Sequence, residues 1–406
     1  MKVYFQLAWR NIWRNKKRTV IAAASVFFAV ILALIMRSMQ QGSYEYMIEA
    51  SVSMYTGYIQ IHGKEFWEKR SLDQSMTVST EKIDSVTNIP EVTNVVPRLE
   101  SYALVSHNQF TKVGQIVGID PVSENLMTGL KDKLIQGSYL TNPDDGALLS
   151  EGLASLLKVS VGDSIVIYGQ GYHGVTAAAR IPIAGIVKFK LPELNNTMLY
   201  LTLGYAQWLF SAENRLTSLS VMIDKHSSIQ RIYDHISALF DDNYEVMTWA
   251  ELMPELVQSI EADNAGGIIM LAILYIVIGF GIFGTVMMMT AERIREFGIL
   301  VSVGMKKWRL ITVTTLETIL ISLTGVISGA VVSIPILIYF INNPVFLTGK
   351  AAEAMLAFGL DPILPFTINT GMFVVQVWTV LAIALFSAIY PFLFIRKLNP
   401  VEALRG

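Results

Sequence analysis

Hydrophobic residues are concentrated in four long stretches that are nearly free of charge. The first runs from Thr19 to Met36, and the other three lie in the last third of the chain. An α-helix of about 18 residues is about 27 Å long, close to the roughly 30 Å of a membrane's hydrocarbon core. The pattern therefore predicts four transmembrane helices, at residues 19–38, 265–290, 310–341 and 371–395.

A segment of different character, residues 39–264, separates the first two apolar stretches. Runs rich in β-branched and aromatic residues alternate there with turns and helical patterns, which indicates an α+β domain. The predicted fold is membrane α-helical, with four transmembrane helices and a large α+β extracytoplasmic domain inserted between helices one and two. We expect strands at 58–62, 102–106, 112–119, 164–168, 181–187, 197–201 and 219–223, and helices at 39–49, 81–87, 151–157, 204–210, 228–240 and 251–261.

Basic residues mark one side of the membrane. They dominate the segment 291–309 and both ends of the chain, whereas Lys350 is the only basic residue between the third and fourth stretches. Lysine and arginine are enriched in cytoplasmic loops. We therefore expect residues 1–18, 291–309 and the tail 396–406 in the cytoplasm, and residues 39–264 and the loop 342–370 outside.

Composition and motifs argue against a soluble enzyme or a nucleic-acid binder. Hydrophobic residues make up 52% of the chain, charged residues 16%, the net charge is −2, and there is no cysteine. Neither a G-x-x-x-x-G-K-[ST] nor a G-x-S-x-G motif is present. We therefore expect no catalytic or cofactor site. We also expect no metal site, because the histidines lack metal-binding spacing: His62, His107, His173, His226 and His235.

Two segments on the predicted cytoplasmic side are amphipathic. Residues 4–17 place aromatic and basic residues on opposite faces of a helix, which is typical of a helix in the headgroup layer but also of a simple basic flank. Residues 291–305 begin with charges, continue with apolar residues and reach Gly304, a common helix terminator. The pattern leaves open a helix that docks on a partner and a solvated loop.

The third apolar stretch contains one acidic residue and a row of small ones. Because a carboxylate in a membrane is costly, we expect Glu317 to reach the surface or to pair with Arg309, rather than to relay protons. Gly325, Gly329 and Ser333 recur at every fourth position, which suits close helix contact. A seam between two copies of the chain and packing within one chain fit this spacing equally.

Three motifs resemble those of the FtsX-like permeases of ABC transporters. Residues 292–304, E-R-I-R-E-F-G-I-L-V-S-V-G, resemble the cytoplasmic signature E-R-x-R-E-[IF]-G-x-L-x-x-[LV]-G of this family. Residues 7–19, L-A-W-R-N-I-W-R-N-K-K-R-T, are similar to its amino-terminal elbow, and residues 399–405, N-P-V-E-A-L-R, to its terminal motif. The order of one helix, a large domain and three helices also agrees.

Within this superfamily the large domain is similar to the LolC/LolE lipoprotein-release permeases. The similarity lies in G-I-D-P at 118–121, in L-I-Q-G-S at 134–138 and in L-L-K-V-S-V-G-D at 156–163. MacB-like efflux permeases share parts of these motifs, so both subfamilies stay open.

The resemblance implies that a coupling helix at 291–305 docks on a dimer of a separate cytoplasmic ATPase. ATP and Mg²⁺ would be bound by that ATPase and no cofactor by this chain, which would pair with a second permease, identical or not. The docking positions carried over from the family are Glu292, Arg293, Arg295, Glu296, Phe297, Gly298, Leu300 and Gly304.

The resemblance also implies a function in the bacterial inner membrane. ATP hydrolysis would be relayed to the periplasmic domain to release lipoproteins, with a periplasmic acceptor as a further partner; MacB-like efflux and FtsX-type signalling to a cell-wall hydrolase are the alternatives. Lipid tails would leave the outer leaflet between the first two helices, although ordinary lipid-facing residues fit the same positions. The candidate contacts are Leu32, Ile35, Met36, Met39, Ile268, Leu271 and Ala272.

Overall fold

The computed structural model of the chain describes residues 2–14, 16–141, 146–224, 229–357 and 359–399. The chain divides into two compact units. The membrane unit comprises residues 1–46, 259–346 and 363–406, and the sheet unit comprises residues 47–258 and 347–362. His226 and the part of the terminal motif after Asn399 lie outside the described residues.

The helices differ widely in length, because some are apolar spans and others are short connections within the sheet unit. They are α1 (Lys2–Arg14), α2 (Lys16–Ser51), α3 (Phe66–Lys69), α4 (Thr80–Thr87), α5 (Pro121–Thr128), α6 (Glu151–Leu157), α7 (Pro192–Thr197), α8 (Leu203–Leu209), α9 (Ile229–Leu239), α10 (Trp249–Leu252), α11 (Pro254–Glu292), α12 (Ile294–Ser302), α13 (Lys307–Asn342), α14 (Lys350–Ala357), α15 (Thr370–Ser387) and α16 (Ile389–Lys397).

Four helical stretches among the described residues are long and apolar enough to cross a membrane, as the sequence predicts. Two of them extend well beyond the apolar residues, since α2 continues from the first stretch to Ser51 and α11 begins at Pro254. The last stretch contains α15 and α16, which meet at Ala388. The four stretches are Thr19–Thr56, Pro254–Glu292, Lys307–Asn342 and Thr370–Lys397.

The strands belong mainly to the sheet unit. They are β1 (Ile59–Gly63), β2 (Val92–His107), β3 (Phe110–Ile119), β4 (Leu134–Gly137), β5 (Ala147–Ser150), β6 (Ser164–Gln170), β7 (Thr176–Val187), β8 (Met198–Thr202), β9 (Ser218–Ile223), β10 (Tyr244–Thr248), β11 (Val345–Phe346) and β12 (Ile363–Leu364).

One mixed sheet of ten strands organises the sheet unit. Its order is β10-β1-β9-β2-β3-β8-β5-β7-β4, with β6 paired to β2 and β7. The pairs β3–β8 and β5–β7 are parallel and the other pairs are antiparallel. One hydrophobic cluster joins the sheet to α6 and α8, and a second joins it to α4 and α9. The predicted α+β domain between the first two spans is confirmed.

The G-I-D-P motif at residues 118–121 has a structural role in this sheet. β3 ends at Ile119, Asp120 then accepts a hydrogen bond from the Ser123 amide (2.9 Å), and Pro121 occupies the first turn of α5. A Cβ on Gly118 would lie 2.4 Å from the Ala206 side chain. These residues therefore terminate a strand, start a helix and allow a close approach.

The first helix lies against the membrane unit with its aliphatic side. Ile12 is buried in a cluster with Ala22 of α2 and Ile321 of α13. Trp9 and Trp13 are exposed, as expected for an amphipathic helix whose aromatic residues face a membrane interface.

The row of small residues in α13 packs within the chain. A Cβ on Gly325 would lie 2.7 Å from both the Ala23 carbonyl oxygen and the Val26 Cβ of α2. A Cβ on Gly329 would lie 2.9 Å from the Phe27 carbonyl oxygen. Of the two interpretations that the spacing allows, the structure shows intrachain packing of α13 on α2.

We expect Gly325→Val to separate α2 from α13 and to destabilise the membrane unit by about 1–3 kcal/mol, because overpacking displaces backbone. The measurement is the thermal unfolding of the detergent-purified full chain. Gly281→Val is the matched control, since a Cβ added to Gly281 in α11 would meet no described atom within 4 Å. Equal unfolding temperatures for the two variants would contradict the close contact.

Candidate functional site

The segment with the family signature forms a short helix between two bends. α11 ends at Glu292, Arg293 leaves helical geometry (φ −96°, ψ 8°), and α12 follows. Gly304 adopts φ +101°, a left-handed conformation that favours glycine, before α13 begins. The predicted helix over 291–305 is therefore shorter at both ends, with Glu292 belonging to α11 and Gly304 terminating the segment as predicted.

One side of α12 is fixed inside the membrane unit by apolar packing. Phe297 is fully buried in a cluster with Leu310 at the start of α13 and with Ile395 and Leu398 at the end of α16. Gly298 is buried beside it. These two carried-over positions therefore support α12 from within and are not presented on its surface.

A polar network fixes the beginning of the same helix. The Arg293 guanidinium donates to Glu317 (2.5 Å) and to Glu296 (3.2 Å). Glu317 also accepts a hydrogen bond from the Asn11 amide (2.6 Å), and Glu296 accepts two from Arg14 (2.6 and 2.8 Å). The network thus joins α1, α12 and α13 at one point.

The position of Glu317 corrects the sequence-based expectation. Glu317 is 4% exposed and pairs with Arg293, whereas Arg309 is exposed and lies over the ring of Trp308. Two turns along one helix separate Glu317 from Arg309 by about 12 Å, too far for an ion pair. Arg293 comes from another helix end and approaches from the side.

The electrostatics of Glu296 follow from the same contacts. Partial burial raises the pKa of this carboxyl group, but hydrogen bonds and charge from Arg14 and Arg293 outweigh it and hold the pKa below its ordinary value. Glu296 is therefore ionised at neutral pH and engaged inside the chain.

The opposite side of α12 is exposed and presents three apolar side chains. Ile299 and Leu300 are exposed, and Val303 at the C-cap has 83% of its surface accessible. Arg295 lies on the same accessible side. Of the carried-over docking positions, Glu292, Arg295, Glu296, Leu300 and Gly304 are exposed, and Arg293, Phe297 and Gly298 are buried. Ile299 and Val303 were not among the sequence-based candidates, although they follow Arg295 at four-residue spacing, which places them on its side of a helix.

The candidate lipid-tail positions differ in their exposure. Leu32, Ile268 and Ala272 are exposed, Met36, Met39 and Leu271 are half-buried, and Ile35 packs against the core of the helix bundle. Their exposure fits ordinary lipid-facing residues as well as a path for lipid tails.

Polar contacts that the sequence did not reveal join α2 and α11 next to these positions. Arg37 donates to Asn264 (2.9 Å), and Tyr44 donates to the Asp263 carboxylate (2.6 Å). The side chain of Gln40 occupies the place that a Cβ on Gly267 would take, 2.0 Å from its amide nitrogen. The two helices therefore meet closely at this level.

The sheet unit offers no metal-binding constellation among the described residues. His62 is buried, stacks on Phe66 and lies 3.0 Å from the Thr217 carbonyl oxygen. Burial lowers its pKa, so the ring is neutral at pH 7 and belongs to the core.

Four candidate spans and a mixed-sheet unit inserted after the first of them define a multi-span membrane protein with a large extramembrane domain. The family model for the MacB-like periplasmic core domain matches residues 19–239, and the model for the FtsX-like permease C-terminal region matches residues 268–400. The chain therefore belongs to the family of ABC transporter permeases of the MacB, LolC and FtsX type.

Relatives in this family differ in the cargo for which they are named. An uncharacterized ABC transporter permease of Methanocaldococcus jannaschii is 21% identical over 98% of this chain and 96% of its own length. HrtB of Staphylococcus haemolyticus, named for hemin transport, is 21% identical over 81% and 89%. LolC of Xylella fastidiosa, named for lipoprotein release, is 20% identical over 78% of each chain.

Among solved structures, the periplasmic region of MacB from Actinobacillus actinomycetemcomitans is 16% identical. It matches with a TM-score of 0.37 over 52% of this chain and 94% of its own length.

Proposed function

We propose that the chain relays ATP hydrolysis by a separate ATPase subunit to its sheet unit, and that α12 is the helix on which the ATPase docks. The observation that carries this proposal is the exposed apolar side of α12, formed by Ile299, Leu300 and Val303, opposite a side fixed by Phe297. An apolar helix face held in a defined orientation is suited to bind a groove of a partner.

In this proposal the ends of the chain and α12 face the cytoplasm of a bacterium, and the sheet unit lies in the periplasm. The concentration of basic residues in 1–18 and 291–309 supports this orientation. The complex would contain two permeases, identical or paired with a relative, and two ATPase subunits that bind ATP and Mg²⁺.

The proposed cargo is a lipoprotein with its acyl chains in the outer leaflet of the inner membrane. The G-I-D-P and L-x-V-x-x-G-D motifs and the similarity to LolC support this choice. The exposed apolar residues Leu32, Ile268 and Ala272 on α2 and α11 are the contacts we propose for acyl chains. A periplasmic acceptor would then take the released protein.

Efflux of a peptide or small molecule is the second candidate. The match of residues 19–239 to the MacB-like periplasmic core domain favours it, because that domain is named for an efflux permease. FtsX-type signalling to a cell-wall hydrolase is the remaining alternative.

The test is to purify the full chain from its native membrane and to use mass spectrometry to identify the proteins that remain bound to it. We expect an ABC ATPase together with an acylated protein, and ATP-Mg²⁺-dependent release of that protein from proteoliposomes. An ATPase with a periplasmic adaptor would favour efflux, and an amidase would favour signalling. Recovery of the chain without any ATPase would overturn the proposal.

A further inference from the structure

Four charged side chains form a closed, electrically balanced network next to α12. The carboxylates of Glu296 and Glu317 face the guanidinium groups of Arg14 and Arg293, and Arg293 contacts both carboxylates. Arg293 is 8% exposed and Glu317 is 4% exposed, so their pair is largely shielded from solvent.

Such a pair contributes little net stability, because two charges lose their hydration when they are buried. The pair instead restricts geometry. A buried guanidinium group has no water to bind, so it must keep its hydrogen bonds to the carboxylates, and these bonds hold the groups in a fixed relative orientation. An ionisable residue within an apolar span is costly and is typical of a functional position. The network is therefore better suited to define the orientation of α12 than to stabilise the fold.

Arg293 lies where it can control the orientation of α12. Arg293 is the residue at which the chain leaves α11, and Gly304 is the second bend, so α12 lies between two points of backbone rotation. Glu317 ties the first bend to α13, and Asn11 ties the same carboxylate to α1. Phe297 restrains α12 by apolar packing, with Ile294 and Val301 packed against the same cluster. Apolar contacts are not directional, so they fix the rotation of the helix less strictly than charge-assisted hydrogen bonds do.

We propose that Glu317 is a positioning residue that locks α12 to α13, so that movement of the docked helix is passed to the third span. This inference rests on the proposed function for its mechanical meaning, since α12 must carry the ATPase for its movement to matter. Loss of Glu317 would leave the docking side of α12 intact but would allow α12 to turn independently of α13.

The absence of cysteine allows a direct measurement of this orientation in the full chain. Spin labels on Val303→Cys at the end of α12 and on Ile327→Cys in α13 occupy exposed positions outside the network. We expect a narrow distance distribution by pulsed electron paramagnetic resonance with Glu317 present and a broad one with Glu317→Leu. The matched control is Thr318→Val, because Thr318 is equally buried and donates only to Thr314 in its own helix.

A double variant separates positioning from folding. Glu317→Leu leaves the Arg293 charge without its buried partner, whereas Glu317→Met with Arg293→Met removes both charges and should restore thermal stability. If Glu317 positions α12, the distribution stays broad in the stable double variant. A narrow distribution in the double variant, or in Glu317→Leu, would overturn the inference.

The functional measurement uses the complex with the ATPase that co-purifies with the chain. We expect Glu317→Leu to retain the ATPase while ATP-dependent cargo release falls about tenfold, a typical size for a lost coupling. Unchanged release with a broad distribution would also overturn the inference. If no ATPase is retained even by the unmodified chain, the proposed function fails, while the spin-label distances still decide whether Glu317 orients α12.

Discussion

Replacing Leu300 and Val303 together by aspartate is expected to abolish retention of the ATPase. Both side chains lie on the exposed apolar side of α12, where a partner groove would have to accept two carboxylates without counter-charges. A hot-spot side chain of an interface contributes about 2 kcal/mol or more, so the loss of even one of the two should lower the affinity roughly 30-fold. The measurement is the ratio of ATPase to permease after affinity purification of the tagged full chain.

The sheet unit contains a matched control for this variant. Val122 and Leu126 are 70% and 71% exposed on α5, so Val122→Asp with Leu126→Asp introduces the same charges on the same residue types. We expect this control to retain the ATPase fully. Equal retention by the α12 variant would mean that this helix does not dock a partner, and loss in both would indicate a general effect of added charge.

The membrane unit could be predicted well because its signal is strong and local. Long apolar stretches and a specific charged signature marked the spans and α12. The ends of α2 and α11 could not be placed from hydrophobicity, since their polar continuations carry no apolar run. Helical periodicity at 39–49 and 251–261 was the signal for these continuations. The structure interrupts the second predicted helix at Met253, between α10 and α11.

The sheet unit was predicted unevenly for physical reasons. All seven expected strands are present, but β4, β5 and β10 were missed because they are four or five residues long and show no polar alternation. α5 was also missed, although Asp120 before Pro121 is a helix-start signal. Asp120 and Pro121 contributed to the sequence analysis only through the G-I-D-P motif.

The partners in the polar network around Glu317 could not be predicted from a single sequence. Asn11 and Glu317 are separated by 306 positions, and Arg293 and Glu317 by 24 on different helices. From an isolated carboxylate in an apolar span we expected Glu317 to reach the surface or to pair with Arg309, and the structure gives it a different basic partner, Arg293. Its identity depended on how the bend at Arg293 turns the guanidinium towards α13, which is a tertiary property.

Glu124→Ala is expected to have the largest effect on the stability of the sheet unit. Arg98 and Glu124 are both fully buried and form two parallel hydrogen bonds, of 2.7 and 2.8 Å, and Arg98 also donates to the Tyr55 carbonyl oxygen. Removal of the carboxylate leaves the guanidinium charge in the interior, which costs about 3–5 kcal/mol. The measurement is hydrogen exchange of the β2 and β3 amides in the full chain, where protection should fall by roughly two to four orders of magnitude.

The double variant Arg98→Met with Glu124→Leu separates the charge from the packing. Apolar residues of similar volume remove the unpaired charge, so most of the lost protection should return. Lys188→Ala is the surface control: Lys188 pairs with Glu151 at 2.9 Å, but both side chains reach solvent, and exposed pairs contribute about 0–1 kcal/mol. If Glu124→Ala behaves like this surface control, the buried pair does not hold β2 to α5, and the sheet must owe its stability to the apolar clusters alone.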